Sequence, residues 1–189
     1  MAAYTEEQRF DNIDFTTTAL ASGNYEACTF TNCNFAGLDI GEINFIDCDF
    51  NSCNFSNCKT NKTGLRDVRF KDCKLLGLRF DSCHNFLFSV RFENCQLNFS
   101  SFFEVKLKST VFKNCSLHEV DFSGADLSDA NFTNSDLRDA TFDRTNLEKA
   151  DFRTAYNYSL DPAINRIKKA KFSANGLAGL LDKYDIVVE

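Results

Sequence analysis

Residues 122–142 read FSGADLSDANFTNSDLRDATF, and within this stretch Phe or Leu returns at every fifth position. The same period continues in both directions, so that large apolar residues mark most fifth positions from Phe10 to Phe152. An α-helix repeats about every 3.6 residues and a β-strand about every 2, so neither element explains this period. The pattern instead predicts a repeat protein with a five-residue unit.

The position two residues before each large apolar residue is restricted as well. It holds small or medium residues that are mostly uncharged, and all nine cysteines fall there. The other three positions of each unit are mainly polar. Two inward-facing positions at a fixed offset in every unit indicate that each unit forms one side of a coil, with a corner every five residues.

The units ADLSD, ANFTN and SDLRD, which follow one another from Ala125 to Asp139, resemble the pentapeptide-repeat motif A-(D/N)-L-x-x. The resemblance covers roughly Phe10 to Ala155. It implies an all-β solenoid, specifically a right-handed quadrilateral β-helix with four units in each coil. Successive coils would stack at the inter-strand spacing of about 4.8 Å, giving about seven coils.

In such a coil, residues twenty apart lie above one another, which predicts ladders of identical side chains. A row of cysteines along one wall does not converge on a metal ion, the chain has no CxxC motif, and only His84 and His118 could assist. We therefore expect no metal site, no cofactor and no disulfide, and cysteines that pack as small apolar residues. The expected core ladder consists of Cys33, Cys53, Cys73, Cys95, Cys115, Phe30, Phe50, Phe70, Phe92, Phe112, Phe132 and Phe152.

The repeat is not uniform along the chain. We expect residues 1–160 to form the solenoid, with an irregular stretch at 59–64 where Thr occupies a large apolar position and a glycine follows. The register slips by two residues within 81–90, and we expect it to resume at Leu87 and Phe92. The simpler interpretation of the slip is a tolerated bulge, and the alternative is a loop that contacts a partner.

Residues 161–189 are expected to form a helical cap over the end of the solenoid. Asp161 and Pro162 suit the start of one helix, and Ser173 suits the N-cap of a second. In Qnr-like and MfpA-like members of the pentapeptide-repeat family, a C-terminal helical block pairs two rods, so the resemblance implies a homodimer. The residues expected at its interface are Leu177, Leu180, Leu181, Tyr184 and Ile186.

Composition and motifs restrict the function. A net charge of −6 disfavours direct binding to nucleic acid or to an anionic membrane. The first residues lack the pattern of a secretory leader, and no apolar run is long enough to span a membrane, so we expect a cytoplasmic protein. No P-loop, HExxH or GxSxG motif occurs, and we expect a protein that is not an enzyme.

Two functions remain open. The first is a protein-binding scaffold whose partner is unknown. The second, implied by the family resemblance, is a DNA mimic that binds DNA gyrase or topoisomerase IV and protects it from quinolones, because regularly spaced carboxylates imitate phosphates. The net charge of +5 over residues 61–115 (10 basic, 5 acidic) weighs against mimicry along the whole rod. The outward carboxylates that would contact a partner are Glu119, Asp129, Asp139, Asp143 and Glu148.

Overall fold

The computed structural model describes residues 3–186, which wind into a parallel β-solenoid. Two walls contain regular strands, and the other walls are joined by single bridges. Three short 3-10 helices complete the elements: η1 (Phe80–Ser82), η2 (Ala174–Leu180) and η3 (Asp182–Tyr184). The strands are β1 (Ala3–Glu6), β2 (Arg9–Asp11), β3 (Gly23–Glu26), β4 (Thr29–Thr31), β5 (Asn44–Ile46), β6 (Asp49–Asn51), β7 (Gly64–Arg66), β8 (Val68–Lys71), β9 (Val90–Glu93) and β10 (Val111–Lys113).

The strand register confirms the predicted coil. One sheet has the order β1-β3-β5-β7 and the other β10-β9-β8-β6-β4-β2, and all pairs are parallel. Partners are twenty residues apart, as in Phe10 and Phe30. Between β8 and β9 the offset becomes twenty-two, with Val68 opposite Val90, so the two-residue slip is real. The stretch 59–64 keeps the twenty-residue register, because Thr60 is buried and hydrogen-bonded to the carbonyl of Arg79 (2.6 Å).

Corners form two residues after the large apolar position. The backbone there takes positive φ, as at Asn32 (φ 53) and Asn114 (φ 54). Asn and Asp tolerate this left-handed conformation better than other side chains. Asn and Asp one residue before the large apolar position also act in the turn, since Asn131 Oδ1 accepts from Thr133 N at 2.8 Å and Asp126 Oδ1 from Ser128 N at 3.1 Å. The frequent carboxylates at that position therefore serve the fold.

The core contains a continuous stack of phenylalanine rings. From Phe10 to Phe152 the stack makes seven steps between coils, with centroid separations from 4.6 Å to 5.5 Å. Rings on the adjacent wall meet it edge to face, as Phe102 meets Phe112 at 85°. Offset stacks and edge-to-face pairs are the favourable arrangements of aromatic rings. Burial of each ring stabilises the fold by about 1.5–3 kcal/mol.

The second inward position carries a row of hydrogen-bond donors. All nine cysteines are buried as free thiols. The thiol of Cys53 donates to the carbonyl of Phe30 one coil earlier (3.4 Å), and hydroxyls take the same role where Ser or Thr replaces Cys, as Thr145 does with Phe122 (2.9 Å). Where this position holds Cys, Ser or Thr, the side chain therefore also satisfies a core-facing carbonyl, whereas residues such as Val120 and Ala125 fill it by size alone.

The helix expected to begin at Asp161 is wrong. Arg166 and Lys171 instead extend the ladders of Asn146 and Asp151, and Phe172 stacks on Phe152 at 5.3 Å. The sequence contains the reason, because Ile167 and Phe172 continue the five-residue period and Asn165 occupies the donor position. The second expected helix exists as η2 and η3, and Ser173 caps it by accepting from Gly176 N.

Candidate interaction surface

Most outward positions of the solenoid are polar, and the large apolar side chains exposed in the middle of the chain are concentrated in one coil. Four large apolar side chains project into solvent between residues 86 and 103, and we call this set the apolar belt: Phe86 (75% exposed), Leu87 (53%), Phe99 (61%) and Phe103 (46%). In the part of the chain that the structure describes, the other exposed large apolar residues lie towards the two ends: Tyr4, Tyr156, Ile164, Leu177, Tyr184 and Ile186. The belt therefore stands alone in the middle of the rod.

The two-residue insertion produces part of this belt. Hydrogen bonds fix both its ends, with His84 N donating to Thr63 O and Ser89 N to Leu65 O, each at 2.9 Å. The prediction that the core register resumes at Leu87 is wrong, since Leu87 has φ 57 and is exposed. Phe88 packs against the core instead, edge to face with Phe80 at 6.4 Å. The Phe88 ring buries more apolar area in the core than the Leu87 side chain would. The two inserted residues therefore bulge out of the wall just before Phe88.

The insertion interrupts one wall, which we call the loop wall. This wall carries β1, β3, β5 and β7, and its ladder resumes with the bridge between Lys106 and Asp126. Beside β7 the loop wall has an open cavity of about 290 Å³. Ile46, Phe86 and Leu87 supply its apolar side chains, Phe45 and Leu65 contribute mainly backbone because their side chains are buried in the core, and Asn24 and Asn44 lie on another side.

Gly64 keeps this cavity open. Its φ is not in the left-handed region, so the need for glycine is one of space. A Cβ on Gly64 would lie 2.2 Å from Oδ1 of Asn44, whose side chain leans over the glycine. Asn44 Nδ2 donates to Asn24 Oδ1 at 2.8 Å, which makes Asn44 the last amide of a short ladder. Among residues 3–186, no donor reaches Oδ1 of Asn44.

The bases in the middle of the chain differ in their ion pairing, and Lys71, Lys74 and Arg91, on other walls, make no ion pair with any described residue. Arg69 is paired with Asp49 and Asp47, and Lys113 lies 2.8 Å from Glu93. On the loop wall, three bases also make no ion pair with any described residue. These are Arg66, which lines the cavity, and the exposed Lys106 and Lys108 of the coil beyond the insertion.

The five carboxylates expected to contact a partner are not brought together. Glu119 and Asp139 stack in one corner column, both with positive φ. The other three occupy different columns, and each has a basic neighbour. The pairs are Asp129 with Lys149 (3.8 Å), Asp143 with Arg144 (3.0 Å) and Glu148 with Arg166 (2.7 Å).

His118 directly follows the large apolar position Leu117, where a side chain that points to solvent is the simplest expectation. It is half-buried instead, with Nε2 2.7 Å from Oδ2 of Asp136. Partial burial opposes ionisation of Asp136, but hydrogen bonds from His118 and Asn157 outweigh it and hold the pKa of Asp136 below its usual range. The pair joins two successive coils of one wall.

The residues expected at a dimer interface divide into two groups. Leu177, Tyr184 and Ile186 are exposed, whereas Leu180 packs against the core and Leu181 is half-buried. The exposed group therefore consists of three side chains at the C-terminal end.

An open cavity of about 570 Å³ is lined by residues of the last coils and of η2. Tyr158 lines it, and the Tyr158 hydroxyl is buried with no hydrogen-bond partner among residues 3–186. In this range no three His, Cys, Asp or Glu side chains gather as a metal site would require. No helix in the same range has the length and apolar character to cross a bilayer.

Comparison with known proteins agrees with this architecture. A family model described as a pentapeptide repeat region matches residues 43–109 and 86–152. The fold matches HetL from Nostoc sp. strain PCC 7120, a pentapeptide repeat protein involved in heterocyst differentiation regulation (TM-score 0.66, 15% identity, covering 91% of this chain and 87% of HetL). It also matches QnrB1, a plasmid-mediated fluoroquinolone resistance protein (TM-score 0.59, 16% identity, 99% and 100% covered). No curated protein sequence matches the chain.

Proposed function

Because this chain belongs to the pentapeptide-repeat family, we propose that it is a non-catalytic scaffold that binds a protein partner through the outside of its solenoid. The apolar belt is the observation that carries the proposal. Exposed aromatic clusters on otherwise polar surfaces are typical of protein–protein interfaces. A repeat template that keeps most comparable positions polar makes these exceptions more informative than scattered surface leucines.

The burial of the thiols supports a binding role over a catalytic one, and Cys48 and Cys58 illustrate it. A cysteine acts as a nucleophile through its thiolate. Burial raises the pKa of Cys48 and of Cys58 to about 12, so both remain protonated at neutral pH. Each thiol also lies inside the coil, out of reach of a substrate.

Affinity capture with a matched pair of variants tests the scaffold. Phe99→Ser with Phe103→Ser removes half of the belt without touching the core. The control, Thr141→Ser, changes an exposed side chain on another unit. Proteins that the wild type and control retain and that the belt variant loses are purified and their affinity measured by calorimetry. If purified partners bind the belt variant with unchanged affinity, the belt is not the interface.

A second candidate is a DNA mimic that binds a type II topoisomerase, which the likeness of fold to QnrB1 and the stacked pair Glu119 and Asp139 favour. The assay is gyrase supercoiling with and without ciprofloxacin. If the candidate is right, the protein inhibits or protects gyrase, and the variant with Glu119→Gln and Asp139→Asn loses the effect. Asp121→Asn is a control because its carboxylate serves a turn to Ser123 N. No effect from the folded wild type at tens of micromolar would reject this candidate.

We also propose that the C-terminal cap mediates self-association through its three exposed side chains Leu177, Tyr184 and Ile186. A capping unit must cover the end of a solenoid, and an apolar outer surface on the cap is unusual unless a second copy covers it.

A further inference from the structure

The cavity on the loop wall combines apolar lining, an open amide oxygen and uncompensated bases. We propose that it docks an extended acidic segment of the partner protein, which inserts one apolar side chain into the cavity and places carboxylates on Arg66, Lys106 and Lys108. The inference rests on the proposed scaffold function and specifies the chemistry of its ligand.

The apolar part of the site follows from its lining. The half-buried Ile46 and the exposed rim residues Phe86 and Leu87 supply the apolar side chains, while the buried Phe45 and Leu65 contribute mainly strand backbone. A cavity of about 290 Å³ holds a single Leu- or Phe-sized side chain with room for its backbone. Covering Phe86 and Leu87 removes apolar surface from water, which favours association.

Oδ1 of Asn44 is a hydrogen-bond acceptor for the backbone of an incoming segment. On another wall the amide ladder ends at Asn54, whose Nδ2 donates to Asn34 Oδ1 and whose own Oδ1 accepts from Ser56 N at 3.1 Å. On the loop wall the residue one coil after Asn44 is Gly64, which has no side-chain amide. Oδ1 of Asn44 therefore has no donor among residues 3–186. A peptide N–H seated over Gly64 would complete the ladder.

Charge complementarity selects an acidic ligand. Arg66 and the two lysines stand on opposite sides of the insertion, two coils apart and so separated by roughly 10 Å. That distance corresponds to about three residues of extended chain. The preferred segment therefore has carboxylates about three residues apart with an apolar residue between them. Three bases on a chain of net charge −6 suit such a peptide better than a nucleic acid, which needs an extended basic surface.

A fluorescent peptide tests the site directly. The probe is fluorescein-labelled Gly-Asp-Leu-Val-Glu-Gly, and anisotropy measures its affinity for the full-length protein. We expect saturable binding, weakened at least tenfold when Lys replaces both acidic residues of the peptide or Ser replaces its Leu. Equal binding of the Lys peptide would overturn the inference.

Variants of the protein locate the binding. Gly64→Asn requires the flexible end of the Asn44 side chain to move, since the new Cβ would lie 2.2 Å from its Oδ1. Asn24 and Asn44 show that this column accepts Asn, so the fold should be kept while the new side chain fills the cavity and occupies the open oxygen. We expect at least a tenfold loss of peptide affinity in Gly64→Asn and in Arg66→Gln. Arg138→Gln, which alters an exposed arginine on another wall, should bind like the wild type. Unchanged affinity in Gly64→Asn, with its circular dichroism and melting temperature intact, would overturn the site.

Two further outcomes separate this inference from the scaffold function. If captured partners depend on Phe99 and Phe103 but bind Gly64→Asn normally, the scaffold stands and the cavity site fails. If single-stranded oligonucleotide binds in a Gly64-dependent manner and the peptide does not, the ligand class proposed here is wrong.

Discussion

The side-chain amide of Asn165 donates to the carbonyl of Phe142 at 2.9 Å, the same contact that Thr145 makes with Phe122 one coil earlier. Cys, Ser, Thr and Asn thus alternate in one structural role, although their sizes and polarities differ. The requirement common to them is a short side chain that carries a hydrogen-bond donor.

Loss of one such donor should destabilise the coil measurably. Thr145→Val preserves shape but removes this donor from the Phe122 carbonyl, which keeps its hydrogen bond from Ala125 N at 3.1 Å. We expect the free energy of unfolding to fall by about 0.5–1.5 kcal/mol, the net value of one hydrogen bond, measured by urea denaturation. Thr141→Val, at an exposed position, should change it by less than about 0.5 kcal/mol. Equal effects of the two substitutions would contradict the role assigned to the inward hydroxyl.

The contact between His118 and Asp136 should make stability depend on pH at the acid end. The folded-state pKa of Asp136 is lowered, so its contribution is present above the pKa of an unfolded Asp, about 3.9, and is lost as pH falls through the folded value. Asp136→Asn should therefore lower the melting temperature at pH 7 but hardly at pH values of about 2–3. Asp121→Asn is the control. A deficit of Asp136→Asn that is the same at both pH values would show that the carboxylate charge is not involved.

Docking of η2 should depend on a missing side chain. A Cβ on Gly179 would lie 2.0 Å from the backbone oxygen of Tyr158, which cannot move without moving the coil. Gly179→Ala should destabilise the protein by about 1–3 kcal/mol and accelerate hydrogen exchange in 174–184. Gly37→Ala is the control: its φ is +71, but no atom lies within 4 Å of an added Cβ, so the substitution introduces backbone strain alone. It should leave hydrogen exchange in the cap unchanged.

Self-association through the cap predicts a concentration-dependent dimer. Tyr184→Ser with Ile186→Ser removes two exposed apolar side chains and should shift the light-scattering mass towards that of one chain. Phe103→Ser, which removes an exposed ring in the middle of the rod, should leave the dimer intact. A wild-type protein that remains monomeric at hundreds of micromolar would show the proposed cap interface to be wrong.

The period of five residues was sufficient to predict the solenoid, because every unit repeats the same steric requirement. The same rule, applied further, would have placed Ile167 and Phe172 in the last coil, but Asp161 and Pro162 also satisfy the rules for a helix start. In the structure Asp161 Oδ1 accepts from Ala163 N at 2.8 Å, the turn contact made by other Asp residues of the repeat.

The candidate site was less predictable than the fold. Periodicity located the insertion but could not decide between Leu87 and Phe88 for the core, since both are large and apolar. The free acceptor of Asn44 depends on the absence of a side chain twenty residues later, at Gly64, which only the coil register reveals. Which bases form ion pairs was equally hard to predict, because the partners lie in different coils, as Arg69 lies one coil from Asp47 and Asp49.

The interrupted ladder on the loop wall also has a mechanical consequence. In a solenoid each coil touches only its two neighbours, so the coils are held together by a series of coil–coil interfaces. Under a pulling force along the axis, the weakest of these interfaces is expected to separate first. The interface across the insertion keeps its phenylalanine stack, with Phe70 and Phe92 at 5.5 Å, but lacks the strand pairing of one wall. A ligand bound to both Arg66 and Lys106 would cross this interface. Its binding free energy would then add to the free energy needed to separate the two halves of the solenoid.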